Sequence, residues 1–497
     1  MAQREFSRRA FIAGLTSAGG ALLAAACSQA PAAPAKPAEP AKPAEAAKPA
    51  EPAKPAAPAA APQPTAAPAA AKPAAPAPGK VTVRLHERAN NVVQGGAQYE
   101  LFKQGGHLDK FKEANPNVEV VVEPLPPGTA EYGPKLLSLH MGGTIGDVVY
   151  GAVGSGSFQY VAANEMAQSL DDYAKKDNFD LKQYLPNMVD ALRVSDKGIG
   201  SGPLYGLPLL VHARDTVLFY NKDLLDKAGV KYPDGDKMSL DELTQMSKSL
   251  VKKSSDGRIE QYGVIPISDG TGTRGYLQFI CMARAFGGEL ISEDGKKALF
   301  NSPEAKATWK YFWDLQFTHE VMPPLSAGQA VEVFMSGRVA MTTSAGNVAY
   351  TFDQKKDLNY GVTPMPKGPS GKRGSMYMGD AYLMPALSKQ KDAGWNLLKW
   401  MTNKESGVLM CGIGLCGARQ DVYDDPRVKQ NERQALFNRL VADAMPFRGP
   451  ANLRQVEVND VTHQVTSALW TGNAKADDTF ANDFNTKIQQ VLDKPRV

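Results

Sequence analysis

The sequence predicts an α/β body of two domains, set behind a long proline-rich segment that can form no core. Three observations carry this: strand and helix patterns alternate from residue 80 onward, that region is 418 residues long, and the stretch before it is a degenerate repeat. In KVTVRLHE, Val81, Val83 and Leu85 alternate with polar neighbours, the period of a half-buried strand. YELFKQGGHLDKFKEAN then carries a helical pattern, PNVEVVVEPL a second strand, EYGPKLLSLHMG a helix and GDVVYGA a strand. Such alternation argues for layered α/β architecture. Further strands are expected at 203–210, 213–220, 260–267, 338–343, 359–364 and 380–385. Helices are expected at 239–253, 275–286, 302–318, 389–402, 430–444, 454–470 and 476–493. A single core rarely grows to 418 residues, so two domains are expected.

Residues 1–26 read as an export signal rather than as fold. A basic start precedes an apolar run from Phe11 to Ala26, too short for a comfortable membrane span and right for a signal core. Arg8-Arg9 in SRRAFI resembles a twin-arginine signal, with Ala13 departing from the commoner Lys. The run ends LLAAACS, which resembles the lipobox of bacterial lipoproteins and would leave Cys27 as the lipidated N-terminus. Ala24 departs from the usual Leu, and cleavage to a released soluble protein is the competing outcome. Residues 27–79 are rich in Ala, Pro, Lys and Glu, with A-K-P-A-E-P repeated with variations from Ala35 to Pro58. Proline at that density forbids helix and sheet ladders and favours an extended, solvated chain, a disordered tether reaching on the order of 150 Å.

The chain is 43% hydrophobic and 22% charged, a globular composition once the tether is set aside. Of the formal +4 charge, Arg4, Arg8 and Arg9 against Glu5 supply +2, so the remainder is close to balance. No basic stripe with interleaved aromatics is present, and nucleic-acid binding gets no support. Four cysteines are too few for a disulfide framework. Cys411 and Cys416, in MCGIGLCG, are placed either to bridge a small loop or to stay as buried thiols.

Several stretches together resemble the extracellular solute-binding proteins of bacterial ABC importers, in the sugar-binding group that includes maltose-binding proteins. They are FKEANPNVEVVVE (111–123), LLSLHMGGTIGDVVYGA (136–152) and LYGLPLLVHARDTVLFYNKDLLDKAGV (204–230), followed by SLDEL (239–243). Then come AFGGELISEDGKKALFNSPEA (285–305), EVFMSGRVAMTTSAGN (332–347) and GVTPMPKGPSGKRGSMYMGDAYLMPALSKQKDAGWNLLKWMTNKESG (361–407). The match runs through nearly all of residues 80–497 in the family's order. It implies a two-lobed periplasmic-binding-protein fold of type II, with ligand in the interlobe cleft. Carried onto this sequence, lobe one would hold 80–212 and 322–375, and lobe two 213–321 and 376–497.

Cleft residues in such a fold lie at strand ends, helix starts and crossover loops. Glu87 and Arg88 end the first strand and suit sugar hydroxyls, or a solvated strand exit. Ser155, in GAVGSGSFQY, follows another strand in a loop whose glycines would let backbone N–H groups approach a ligand; a flexible loop fits equally well. His212 lies where the family crosses between lobes, although a lone His is more often structural. SDGTGTRGYLQF contains G-x-G-x-x-G between strand and helix patterns, yet it lies mid-chain with no clear parallel βαβ partner strand in the sequence, so a dinucleotide site is disfavoured. The preferred reading there is a helix start at the cleft with Thr273, Arg274 and Tyr276 near ligand. Gly412, Gly414 and Gly417 repeat the spacing after a helix and read as a turn. Asn347 holds the place where the family commonly has a stacking Trp. The return strand YMGDAY offers Tyr377, Gly379, Asp380 and Tyr382, and Arg448 in MPFRGP falls where the family faces its cleft. The five Trp lie on helical patterns and read as core.

Enzyme signatures are missing: HEVMP lacks the second His of H-E-x-x-H, there is no G-x-S-x-G elbow, and the six His include no zinc-spaced pair. No cofactor or metal is expected. The expected function is a membrane-tethered receptor, lipid-anchored at Cys27 in the cell envelope and monomeric, that captures a carbohydrate and delivers it to the permease of an ABC transporter. Two alternatives stand: a receptor for a phosphorylated polyol, motivated by Arg88 and Arg274, and an envelope enzyme acting on polysaccharide with Glu87 and Asp380 as its carboxylates.

Overall fold

Fourteen strands form two separate sheets and one hairpin among the described residues. The computed structural model describes residues 79–88, 101–102, 106–125, 129–153, 157–195, 198–267, 275–324, 330–447 and 449–496. Cys27, Ser155, Thr273, Arg274 and Arg448, and the side chain of Arg88, lie outside them. Residues from Ala74 onward belong to one unit.

In chain order the strands are β1 (Val81–Arg88), β2 (Val118–Leu125), β3 (Val148–Ala152), β4 (Arg193–Ser195), β5 (Gly198–Leu204), β6 (Gly206–Arg214) and β7 (Val217–Asn221). They continue with β8 (Lys252–Lys253), β9 (Ile259–Ile265), β10 (Val339–Ser344), β11 (Tyr360–Pro364), β12 (Met376–Leu383), β13 (Cys416–Gly417) and β14 (Met445–Pro446). The first sheet runs β13-β6-β12-β3-β1-β2, with β14 beside β12. The second runs β11-β7-β10-β9-β8, and β4 and β5 form a two-stranded pair among the described residues. β1 is parallel to β2 and β3, while β12 is antiparallel to both β3 and β6.

Burial explains which strands are central. β3, β7, β10 and β12 are buried at every position, as strands covered on both faces must be. β2, VEVVVEPL, keeps glutamates at intervals and stays half-exposed at the sheet edge. Helices start where local chemistry says they should. Asn221 caps Lys222–Ala228 by accepting from Leu224 N at 3.1 Å, and Gly229 ends that helix at φ 66°, so the N-K-D-L-L-D-K-A-G motif is one capped helix. In SLDEL, Ser239 and Glu242 form a reciprocal capping box on Leu240–Ser249.

The lobe boundaries differ from the expected ones. β10 and β11, within 322–375, join the sheet of β7 and β9, and β12 joins the sheet of β1 and β3. β10 and β11 therefore belong with the second lobe, and β12, β13 and β14 with the first. The expected bounds rest on the family resemblance alone, since hydrophobic period assigns a strand to a buried sheet without saying which sheet. The chain crosses at Asp215-Thr216 between β6 and β7, and again between β11 and β12. Met365 N donates to Thr216 O at 2.6 Å, tying the two crossings together. A third passage follows β14 into the helix Gln455–Trp470, which packs on Gly275–Ala285 of the second lobe.

The second lobe's core is aromatic. Phe279 meets Trp309 edge-on at 5.0 Å, and Phe300 meets Phe484 at 4.5 Å. Trp309, Trp395 and Trp470 are buried as expected, while Trp313 and Trp400 are half-buried. Cys281, Cys411 and Cys416 are free and buried. Gly412–Gly414 form a turn after the helix Lys404–Cys411. Among the described residues no helix is long and apolar enough to cross a membrane, and no group of three His, Cys, Asp or Glu could hold a metal ion.

Candidate functional site

The site is assembled where the ends of the central strands of the first sheet converge. β3 ends at Ala152, and the next residue, Val153, donates its N–H to Gly379 O at 2.9 Å. β12 begins opposite the end of β6, with Met376 paired to Arg214 and Tyr377 to Ala213. The short helix Pro186–Ala191 lies over this corner. Gly379 permits that: a Cβ there would fall 2.2 Å from Met188 Cε and 2.4 Å from Leu210 O. The opposite wall comes from the second lobe's turn at Glu293–Gly295, joined to the chain after β14 by Ala451 N donating to Gly295 O at 3.0 Å. The β4–β5 hairpin closes one side, with Gly198 at φ 99° and its Cβ position 3.3 Å from Ala451 Cα.

These elements enclose a cavity of about 300 Å³. Asp190, Glu293 and Asp294 give it an acidic wall, Tyr377, Asn187 and Phe447 add ring and amide surface, and none of its described lining residues is Lys or Arg. A second cavity of about 350 Å³ adjoins it, sharing Asn187, Met188 and Tyr377. Tyr377 is 5% exposed, yet among the described residues its hydroxyl makes no hydrogen bond. Burial, then the Asp190 charge, pushes its phenol well above the ordinary value, so it remains a neutral O–H, able to donate and accept. A buried hydroxyl without a partner costs stability unless something else supplies the bond.

A family model for bacterial extracellular solute-binding proteins matches residues 107–435. The chain belongs to that family. A putative binding protein of Brucella abortus (strain 2308) is 27% identical to this solute-binding protein over 305 residues, covering 59% of this chain and 69% of its own. A galactooligosaccharide-binding protein of Bacillus subtilis (strain 168) is 25% identical over 409 residues, covering 80% and 85%. Among solved structures, the maltose/maltodextrin-binding domain of Bdellovibrio bacteriovorus bound to maltotriose matches with a TM-score of 0.66 at 19% identity, over 83% of this chain and 100% of that one. This likeness establishes the two-lobed fold.

Of the sequence-predicted residues, Tyr377 and Gly379 line the cavity. Tyr382 does not: it is fully buried, edge-on to Tyr150 at 6.2 Å, and donates to Glu87 Oε2 at 2.8 Å. Glu87 is thereby held in the first lobe's interior, 1% exposed, rather than at a strand exit. Asp380, also buried, sits mid-sheet between Ala152 and Leu210. The Glu87–Asp380 pair is thus embedded in one sheet and does not face across the cleft. Tyr276 is core as well, stacked on Phe300 at 6.0 Å and 1% exposed, because it starts the helix that carries the aromatic cluster of the second lobe. His212 is half-buried on β6 opposite Met378, and Asn347 heads the helix Val348–Asp353; neither lines the two cavities described. Sequence reasoning missed Asn187, Asp190 and the Glu293–Gly295 turn. The glycines of GIGSG take positive φ at Gly198, Gly200 and Gly202, but in the sequence they read as loop and gave no sign of the hairpin.

Proposed function

We propose that this solute-binding protein captures a neutral carbohydrate between its lobes and delivers it to the permease of an ABC transporter. The observation that carries the reading is the Tyr377 hydroxyl, buried at the cavity with no protein partner among the described residues. A sugar hydroxyl supplies the missing bond, and Asp190, Glu293 and Asp294 are acceptors for further hydroxyls. The names of relatives support the class: besides the galactooligosaccharide-binding protein, a mannitol-binding protein of Pseudomonas aeruginosa is 24% identical over 296 residues. Capture proceeds by hinge closure, since contacts to both lobes are made only in the closed form. No chemical step is assigned to the site.

The phosphorylated-polyol reading is weakened by the acidic wall, because three carboxylates repel a phosphate. The protein acts in the cell envelope, anchored by a lipid on Cys27 with residues 28–79 as spacer. Cys27→Ala in cells should move the protein from the membrane fraction to the soluble fraction; membrane retention would remove the anchor. For the ligand, the test is the melting temperature with mono- and oligosaccharides, polyols, polyol phosphates and amino acids. A ligand at 100 times its Kd adds about 2.7 kcal/mol of stability. No shift with any sugar or polyol would sink the carbohydrate reading.

A further inference from the structure

The two cavities that meet at Tyr377 differ in chemistry. The one between the lobes carries three carboxylates. The other lies between the helix Pro186–Ala191 and the end of the helix Glu432–Ala442, over Val211 of β6. Seven of its eleven described lining residues are aliphatic, including Leu185, Pro186, Met188, Val211 and Val441, and none is charged. Polar atoms enter from Asn187, Gln420 and the tyrosines. At about 350 Å³ it is at the small end of ligand-sized pockets, which run about 300–1,000 Å³, and holds one ring-sized group.

We infer that the ligand is amphipathic: a glycoside whose sugar occupies the acidic cavity and whose apolar substituent, such as an aryl aglycone, occupies the aliphatic one. This rests on the carbohydrate reading above and deepens it. The junction lies at Tyr377, which lines both cavities, so the link between sugar and substituent passes beside that side chain. A second sugar ring is poorly matched to the aliphatic cavity, because its hydroxyls would be stripped of water against Leu, Pro, Met and Val side chains with few acceptors to replace it. An aryl or alkyl group loses nothing there and gains by leaving water. The carboxylates exclude the reverse orientation, in which apolar surface would desolvate them.

The experiment is isothermal titration of the folded protein with a matched panel: free hexoses, pentoses and disaccharides, their methyl glycosides and their phenyl glycosides. For at least one sugar the phenyl glycoside should bind on the order of 10–100-fold more tightly than the methyl glycoside, from the apolar area buried. Filling the aliphatic cavity with Ala442→Trp, or with the smaller Ala444→Phe should the first variant fail to fold, should bring that ratio close to one. Melting curves of the ligand-free variants report folding separately. If sugars or disaccharides bind and the phenyl group adds nothing, or if the filled variants keep the preference, the amphipathic ligand is wrong and the carbohydrate reading stands. If neither sugars nor glycosides bind, both fall.

Discussion

Tyr377 and Tyr382 are five positions apart on one alternating strand, so their side chains leave opposite faces of the sheet. Tyr377 lines the cleft cavity and its buried hydroxyl has no partner among the described residues, while the hydroxyl of Tyr382 is spent on Glu87 inside the core. At the residue scale the proposed carbohydrate site rests on that difference. Tyr377→Phe should leave the ligand-free melting temperature unchanged or slightly raised, because a buried hydroxyl without a partner is removed. It should weaken ligand binding by about 0.5–1.5 kcal/mol, the net worth of one hydrogen bond, measured by titration calorimetry. A variant that binds as tightly as the parent would remove Tyr377 from the site. The motif YMGDAY was legible as a cleft strand, but motif identity does not say which face looks outward. Tyr276 was misplaced for a related reason: a residue at a helix start is exposed only if no second layer covers it, and here Phe300 does.

Among elements, the helices were legible because their signals are local. SLDEL carries its own N-terminus, with Glu242 N donating to Ser239 Oγ at 3.2 Å and Ser239 N donating to Glu242 Oε2 at 2.7 Å. Ser239→Ala should cost about 1 kcal/mol in chemical denaturation, while Ser239→Asp should keep most of it. The β4–β5 hairpin was not legible, since three glycines in five residues read as loop and its pairing depends on contacts elsewhere. The helix Glu432–Ala442 shows what sequence cannot assign to one lobe. Its Gln434 bonds to Leu415 O beside β13 of the first lobe, whereas Arg433 grips Asp353 and Tyr360, and Arg439 grips Asp236, on the second. The Arg439 and Arg373 guanidiniums push the Asp236 carboxyl down to about 2. A depressed carboxylate stabilises fully above its unfolded value of about 4 and loses that contribution as pH falls toward 2. Arg439→Gln should therefore flatten the fall in melting temperature between about pH 5 and pH 2, and an unaltered slope would show that this ion pair contributes nothing.

Across the whole molecule, the lobes are joined by crossings that Arg284 collects. Buried at 2% exposure, it donates to Ser375 O at 3.0 Å and Pro446 O at 2.9 Å on two different passages, and pairs with Glu289 at 2.9 Å. Arg284→Ala leaves buried acceptors and Glu289 without their partner, and should cost about 3–5 kcal/mol in equilibrium unfolding. A loss within the ±0.5 kcal/mol typical of surface changes would show that the crossings hold without it. Ligand at saturation should lower the radius of gyration in X-ray scattering, as hinge closure requires. The sequence by itself determined the alternation of strand and helix, the capped helix starts, the family and the separation of a proline-rich segment from a folded body, because periodicity, caps and composition act over a few residues. Only the tertiary structure decided which sheet each strand joins and which face of β12 meets the cleft. It alone brought Asp190, Tyr377 and Glu293 around one cavity. Those outcomes depend on pairings across more than a hundred residues, where several registers bury the same apolar pattern equally well and only the packed whole selects one.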